Sequence, residues 1–214
     1  MNPAPDSPRS DSAATRGLLD RVASGDPAAT GELLAHHRSA LIAFVGLHFD
    51  PRAAARLDPS DVVQEAQAEL ARRMPDYLAR RPMPFHLWAR KTAYERLLDA
   101  HRRHLKRARR TVAREEPWPD RSSMALARPL LGREPTPSQE VEAREFAQRV
   151  SDAVAGLPDT DREVLLLRHA DSMPFAEIGE LLGVEPAAAR KRFGRALIRL
   201  QKALSDAGLL EDLP

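Results

Sequence analysis

Apolar positions along the chain recur every three or four residues, the spacing of helices rather than strands. Asp26 is placed to cap a first long helix, with Pro27 in its first turn. Leu33, Leu34, Leu41, Ile42 and Val45 then repeat at helical intervals, and that helix is expected to end near Asp50-Pro51. A second helix is expected from Asp58-Pro59-Ser60, with Val62, Val63, Ala66 and Leu70 on its apolar side. Pro75, Pro82 and Pro84 mark a loop, and a third helix runs from about Phe85 into a basic tract. Residues 114–136 are proline-rich and lack a period, so they read as a linker with at most a short helical turn near Met124–Ala127. Residues 137–206 return to helical spacing. Thr136 and Gln139 fit a capping box, and Thr160 and Glu163 fit a second one. Phe146 and Val150 supply an apolar face.

The end of this last zone carries the most information. Phe175, Ile178, Leu181 and Leu182 form one apolar stripe, broken at Gly183, where a sharp turn of positive φ is expected. A helix restarts at Glu185-Pro186. Along it Ala189, Phe193, Leu197, Leu200 and Leu204 make an expected buried seam. At 100° per residue Lys191 and Arg195 lie nearly opposite that seam, with Arg190 and Arg192 flanking it. A short helix, a glycine turn and a helix with an apolar back and a cationic front form a helix-turn-helix pattern, which fits the major groove. Gly208 is expected to end the last helix.

The expected architecture is all-α: two small helical domains joined by a flexible linker, the C-terminal one a helix-turn-helix. The expected boundaries are a disordered lead-in over 1–14, a first domain over 15–113, the linker over 114–136, the second domain over 137–206 and a tail over 207–214. A length of 214 residues suits two such domains. Only 5% of residues are aromatic, so the cores rest on Ala, Leu and Val.

Net charge is only +2, so distribution matters more than total. Residues 101–114 carry seven basic residues and no acid, and residues 186–202 carry six and no acid. Asp61, Glu65 and Glu69 follow at four-residue spacing and share one helix face beside apolar Val62, Val63 and Ala66. Two positive surfaces and one separate negative surface are expected, the former suited to DNA and the latter to a protein partner. Arg96, Lys106, Arg107, Arg109 and Arg110 would add phosphate contacts, which position a strand without specifying its sequence.

No apolar run approaches the roughly 18 residues that span a bilayer, and the N-terminus lacks the apolar core of a secretory signal. The absence of Cys excludes disulfides and thiolate metal sites and favours a cytoplasmic location. His101 and His104 lie one turn apart, but no third ligand is evident and the surrounding cations repel metal ions, so no metal is expected. No glycine-rich phosphate loop or catalytic constellation stands out, so neither a cofactor nor an enzyme activity is expected. A helix-turn-helix regulator acting alone would explain 137–206 but leave the acidic helix and the first basic tract idle. A helical adaptor that only bridges proteins would predict no salt-sensitive DNA binding.

The segment "LPDTDREVLLLRHADSMPFAEIGELLGVEPAAARKRFGRALIRLQKAL" resembles region four of bacterial sigma factors. "DPSDVVQEAQAELARRM" is similar to the polymerase-binding helix of region two, and "FHLWARKTAYERLLDAHRRH" to its promoter-melting and recognition helix. Two regions joined by a linker match the extracytoplasmic-function (ECF) group of the sigma-70 family, over about residues 15–205. The resemblance implies a promoter-specificity subunit that binds core RNA polymerase and promoter DNA and performs no chemistry, with an anti-sigma factor as a further partner.

The resemblance also assigns residues. Asp61, Gln64, Glu65 and Glu69 would face core polymerase. Lys91, Glu95, Arg96, Asp99, Arg102 and Arg103 would lie at the minus-ten element. Arg190, Lys191, Arg192, Gly194 and Arg195 would lie at the minus-thirty-five element, with Arg192 on phosphate or in a structural pair. Trp88 matches a family aromatic and is expected to pack. Three departures stand out. Glu95 stands where family members often carry Asn, and an acid accepts from cytosine but cannot donate to base acceptors. Gly194 replaces a larger side chain facing DNA. The proline-rich stretch 75–84 occupies the place where the family captures a flipped base, with Tyr77 or Phe85 as candidate stacking rings.

Overall fold

The computed structural model describes residues 9–49, 58–108, 148–150 and 152–209, with side chains of the helix ending at 108 described as far as Arg103. The expected linker, the Thr136–Gln139 box, Phe146 and the cations Lys106, Arg107, Arg109 and Arg110 lie outside that description. The described residues are helical, with no strand among them. Backbone contacts divide the chain into two compact units, the first over Pro8–Glu115 and the second containing Glu116–Pro214.

The first unit holds α1 (Ala13–Ala23), α2 (Ala29–Leu47), α3 (Pro59–Arg80) and α4 (Phe85–Ala108). Helices α2, α3 and α4 pack on one another, and α1 packs on α2. Leu33 and Phe44 of α2, Val63 and Leu70 of α3, and Phe85 and Leu97 of α4 are at most 2% exposed. Each such side chain contributes about 1.5–3 kcal/mol by leaving water. Asp58 caps α3 by accepting the Ser60 N–H at 2.7 Å, with Pro59 in the first turn. Asp26 accepts the Ala28 N–H at 3.0 Å one turn ahead of α2, which starts at Ala29.

Several expectations need correction. Pro75 does not mark a loop: α3 continues through it to Arg80. A proline in a helix interior costs about 3 kcal/mol, but Met74 and Tyr77 on either side are buried and hold the helix in register. Tyr77 stacks on Trp88 with ring centres 4.3 Å apart and donates its hydroxyl to the Met83 carbonyl at 3.0 Å. Burial pushes the Tyr77 hydroxyl pKa up to about 12. Tyr77 and Phe85 are 4% and 0% exposed, so these rings are core and not base-stacking surfaces. Trp88 is buried among them, in line with a packing role.

The first described residues also do more than lead in. Ser12 caps α1 by accepting the Thr15 N–H at 3.1 Å. Asp11 crosses to the start of α4 and accepts the N–H groups of Phe85 and His86 at 2.7 and 2.9 Å, plus a 2.9 Å contact with His86 Nδ1. Burial alone would raise the Asp11 pKa. The hydrogen bonds from His86 and Phe85 outweigh that and hold its carboxylate below the ordinary range.

The second unit has helical turns at 148–150 and 152–155, then α5 (Asp159–Leu165) running into a π turn (Leu166–Ala170), α6 (Phe175–Leu182) and α7 (Pro186–Asp206). The second capping box does not form. Helix α5 opens two residues earlier, at Asp159 after Pro158, which leaves Thr160 inside the helix. Buried Asp161 instead anchors α7 through a short ion pair with Arg199. Gly208 has φ 69° and turns the chain so that Leu209, 1% exposed, donates back to the Leu204 carbonyl at 2.9 Å. The first residues of the expected C-terminal tail are thus part of this core.

Candidate functional site

The turn between α6 and α7 is built by two glycines. Gly183 takes φ 66°, the left-handed conformation that closes α6, and Val184 donates to the Gly179 carbonyl at 2.9 Å. A Cβ on Gly179 would sit 2.6 Å from the Val184 carbonyl oxygen, so this position admits no side chain. Gly179 was not singled out from the sequence. Its only sequence signal is a glycine four residues before the turn glycine.

Helix α7 buries Ala189, Ala196, Leu200 and Leu204. Phe193 is half-buried, and Leu197, placed in the seam by its spacing, is 38% exposed. The seam runs instead through Ala196, which is fully buried. Lys191 and Arg195 are exposed one turn apart, Arg190 is exposed beside them, and Arg192 and Gly194 are half-buried. Two further cations of the tract are committed elsewhere: Arg199 to Asp161, and Lys202 to Asp206 at 3.2 Å. Arg190, Lys191 and Arg195 therefore form the outward-facing group, with half-buried Arg192 among them.

In the first unit Lys91, Glu95, Asp99 and Arg102 follow one another along one side of α4, with Arg96 and Arg103 beside it. This surface is mixed in charge, not purely cationic. Asp99 bonds Arg102 at 2.5 Å and lies 3.9 Å from Arg96. Arg103 reaches across to Glu65 of α3 at 3.1 Å. Such exposed pairs are worth about 0–1 kcal/mol, so phosphates can displace them. Glu95 is exposed on the same side, with no hydrogen bond to another described residue. His101 packs edge-on against Phe49 at 5.6 Å.

On α3, Asp61, Gln64 and Glu65 are exposed, while Glu69 is clasped by Arg72 at 2.6 Å with Arg73 at 3.8 Å. The Arg72 hydrogen bonds hold the Glu69 carboxylate below its ordinary range. Gln64 also lines an open groove of about 400 Å³ between α2 and α3, with Leu34, Ala35, Ala68 and Ala71 on its walls. Gln67 fixes those walls together, donating to the Leu34 carbonyl at 2.7 Å and accepting from Arg38 at 2.9 Å. An acidic rim beside a small-residue groove presents apolar and negative surface together. No described helix is long and apolar enough to cross a membrane.

The chain is similar to known proteins in sequence and in fold. The family described as "Sigma-70, region 4" matches residues 147–200, which include α5, α6 and most of α7. The chain is 31% identical over 194 residues to RNA polymerase sigma factor CnrH of Cupriavidus metallidurans, covering 91% of this chain and 95% of the relative. It is 27% identical over 185 residues to ECF RNA polymerase sigma factor ShbA of Streptomyces griseus, covering 86% and 92% respectively. The solved structure of CnrH in complex with the cytosolic domain of CnrY shares the fold at a TM-score of 0.56 and 23% identity, over 90% of this chain and 98% of that one. The chain belongs to the ECF group of the sigma-70 family and is a sigma factor, the subunit that binds core RNA polymerase and directs it to promoter DNA.

Proposed function

We propose a division of labour among three faces of this sigma factor. Asp61, Gln64, Glu65 and Glu69, with the adjoining α2–α3 groove, dock on core polymerase. Lys91, Glu95, Arg96, Asp99, Arg102 and Arg103 of α4 lie along the minus-ten element. Arg190, Lys191, Arg192 and Arg195 of α7 meet the minus-thirty-five duplex, while Gly194 leaves a gap where a longer side chain would reach DNA. The first face belongs to the N-terminal domain, 15–113, and the last to the helix-turn-helix domain, 137–206. The chain itself catalyses no reaction and works in the cytoplasm beside polymerase.

The observation that carries this reading is the segregation of charge on the two long helices. Helix α7 presents Lys191 and Arg195 outward one turn apart, and α3 presents Asp61 and Glu65 outward. A phosphate backbone attracts the first and repels the second. Arginine and lysine along the groove supply phosphate contacts, and the guanidinium fork can read guanine. Because the solved relative CnrH is held by the cytosolic domain of CnrY, an anti-sigma protein is a fitting further partner for the docking faces of this chain.

The test pairs two variants. Asp61→Arg should weaken capture by core polymerase in a binding titration. Lys191→Ala with Arg195→Ala should leave that titration unchanged and abolish footprint protection of the upstream promoter element. Equal loss of core binding in both would contradict the division of labour.

A further inference from the structure

Arg190 opens the cationic face of α7, and its guanidinium carbon lies 5.4 Å from the ring centre of Phe175. Phe175 is the first residue of α6 and is 7% exposed. A second guanidinium, that of Arg168, lies 4.4 Å from the same ring centre. Arg168 comes from the π turn after α5 and donates from Nη1 to the Met173 carbonyl at 2.9 Å. On the α7 side Phe193 meets Phe175 edge-on at 5.5 Å, and His169 meets Phe193 at 5.4 Å. The Phe175 ring is thus fixed by its neighbours and offers its face to two arginines.

We propose that Phe175 is a positioning residue for Arg190: its ring holds the guanidinium at the start of the recognition helix before DNA arrives. A cation over an aromatic face is attracted by the ring quadrupole, and arginine adds planar stacking that lysine lacks. A long side chain ordered in advance loses less rotamer freedom on binding. Two guanidinium groups drawn to one ring also concentrate positive charge at this end of α7, which favours a phosphate arriving there. The π turn supplies the second of them, in keeping with the frequent placement of such turns at functional sites.

The inference rests on the reading of Arg190 as a promoter contact, and the experiment separates the two. Reconstituted polymerase carrying each variant is titrated with a promoter duplex at fixed salt. Phe175→Leu should weaken binding about two- to five-fold, and Phe175→Tyr, which keeps the ring face, should restore it. Arg190→Lys, an exposed change that leaves the core intact, should lose a similar factor because charge alone does not stack. In an Arg190→Ala background Phe175→Leu should add nothing. A Phe175→Leu penalty that persists undiminished in that background would overturn the positioning role alone. Wild-type binding by Arg190→Lys would do the same. Wild-type binding by Arg190→Ala would overturn the promoter contact and the positioning role together.

Discussion

Glu65 of α3 and Arg103 of α4 form an ion pair at 3.1 Å that joins the proposed polymerase-docking helix to the proposed minus-ten helix. Their side chains are 53% and 55% exposed, so solvent screens the pair and its net worth is about 0–1 kcal/mol. Replacing Glu65 with Gln should therefore change stability in urea by less than about 1 kcal/mol while lowering core affinity, because the docking charge is gone. A stability loss well above that limit would show that the pair holds the fold rather than serving the docking surface.

The two exposed cations Lys191 and Arg195 set a second expectation. Each phosphate contact steepens the fall of log affinity with log salt by about 0.9. The Lys191→Ala, Arg195→Ala double variant, in complex with core polymerase, should show a salt slope shallower by about two. An unchanged slope would remove both residues from the phosphate backbone.

Two glycines of the second unit should respond with opposite signs. A Cβ on Gly194 meets nothing within 4 Å, so Gly194→Ala should stabilise by about 0.5–1 kcal/mol through a less flexible unfolded chain. A Cβ on Gly179 collides with the Val184 carbonyl, so Gly179→Ala should destabilise by about 1–3 kcal/mol as the turn shifts. Thermal melts of the two variants check both signs.

His37 makes stability depend on pH. Its Nε2 meets the Thr15 hydroxyl at 3.1 Å, and burial lowers its pKa to about 4. Neighbouring His36, His86 and Arg90 act in the same direction, and Asp11 opposes them. The unfolded chain binds this proton near pH 6.5 and the folded chain only near 4. Protonation therefore favours unfolding. The stability contribution should be full above about pH 6.5 and decline as pH falls toward 4. His37→Gln, which does not titrate and can still bond Thr15, should flatten that part of the curve. An unchanged pH profile would place the acid sensitivity elsewhere.

Local chemistry was legible in the sequence and long-range chemistry was not. Asp58-Pro59 and Gly183 act at the positions where they stand, so the start of α3 and the helix-turn-helix bend could be read directly. The cationic front of α7 could be read for the same reason, since its residues lie within two turns. Pro75 signals a break by itself, and only the stack of Tyr77 on Trp88, distant in sequence, carries the helix past it. The apolar residues 193, 196, 197, 200 and 204 fit helical spacing in more than one rotation, and only the packed neighbours choose Ala196 over Leu197. Asp11 capping α4 across 74 residues and Glu65 pairing with Arg103 across 38 leave no sequence pattern at all.

The most direct test of the account is transcription in vitro by core polymerase loaded with this chain on a randomised promoter library. The account predicts transcripts whose templates share two separate sequence elements, with the Lys191→Ala, Arg195→Ala variant losing preference at the upstream one alone. Transcripts with no shared element, or a variant that relaxes both elements equally, would contradict it.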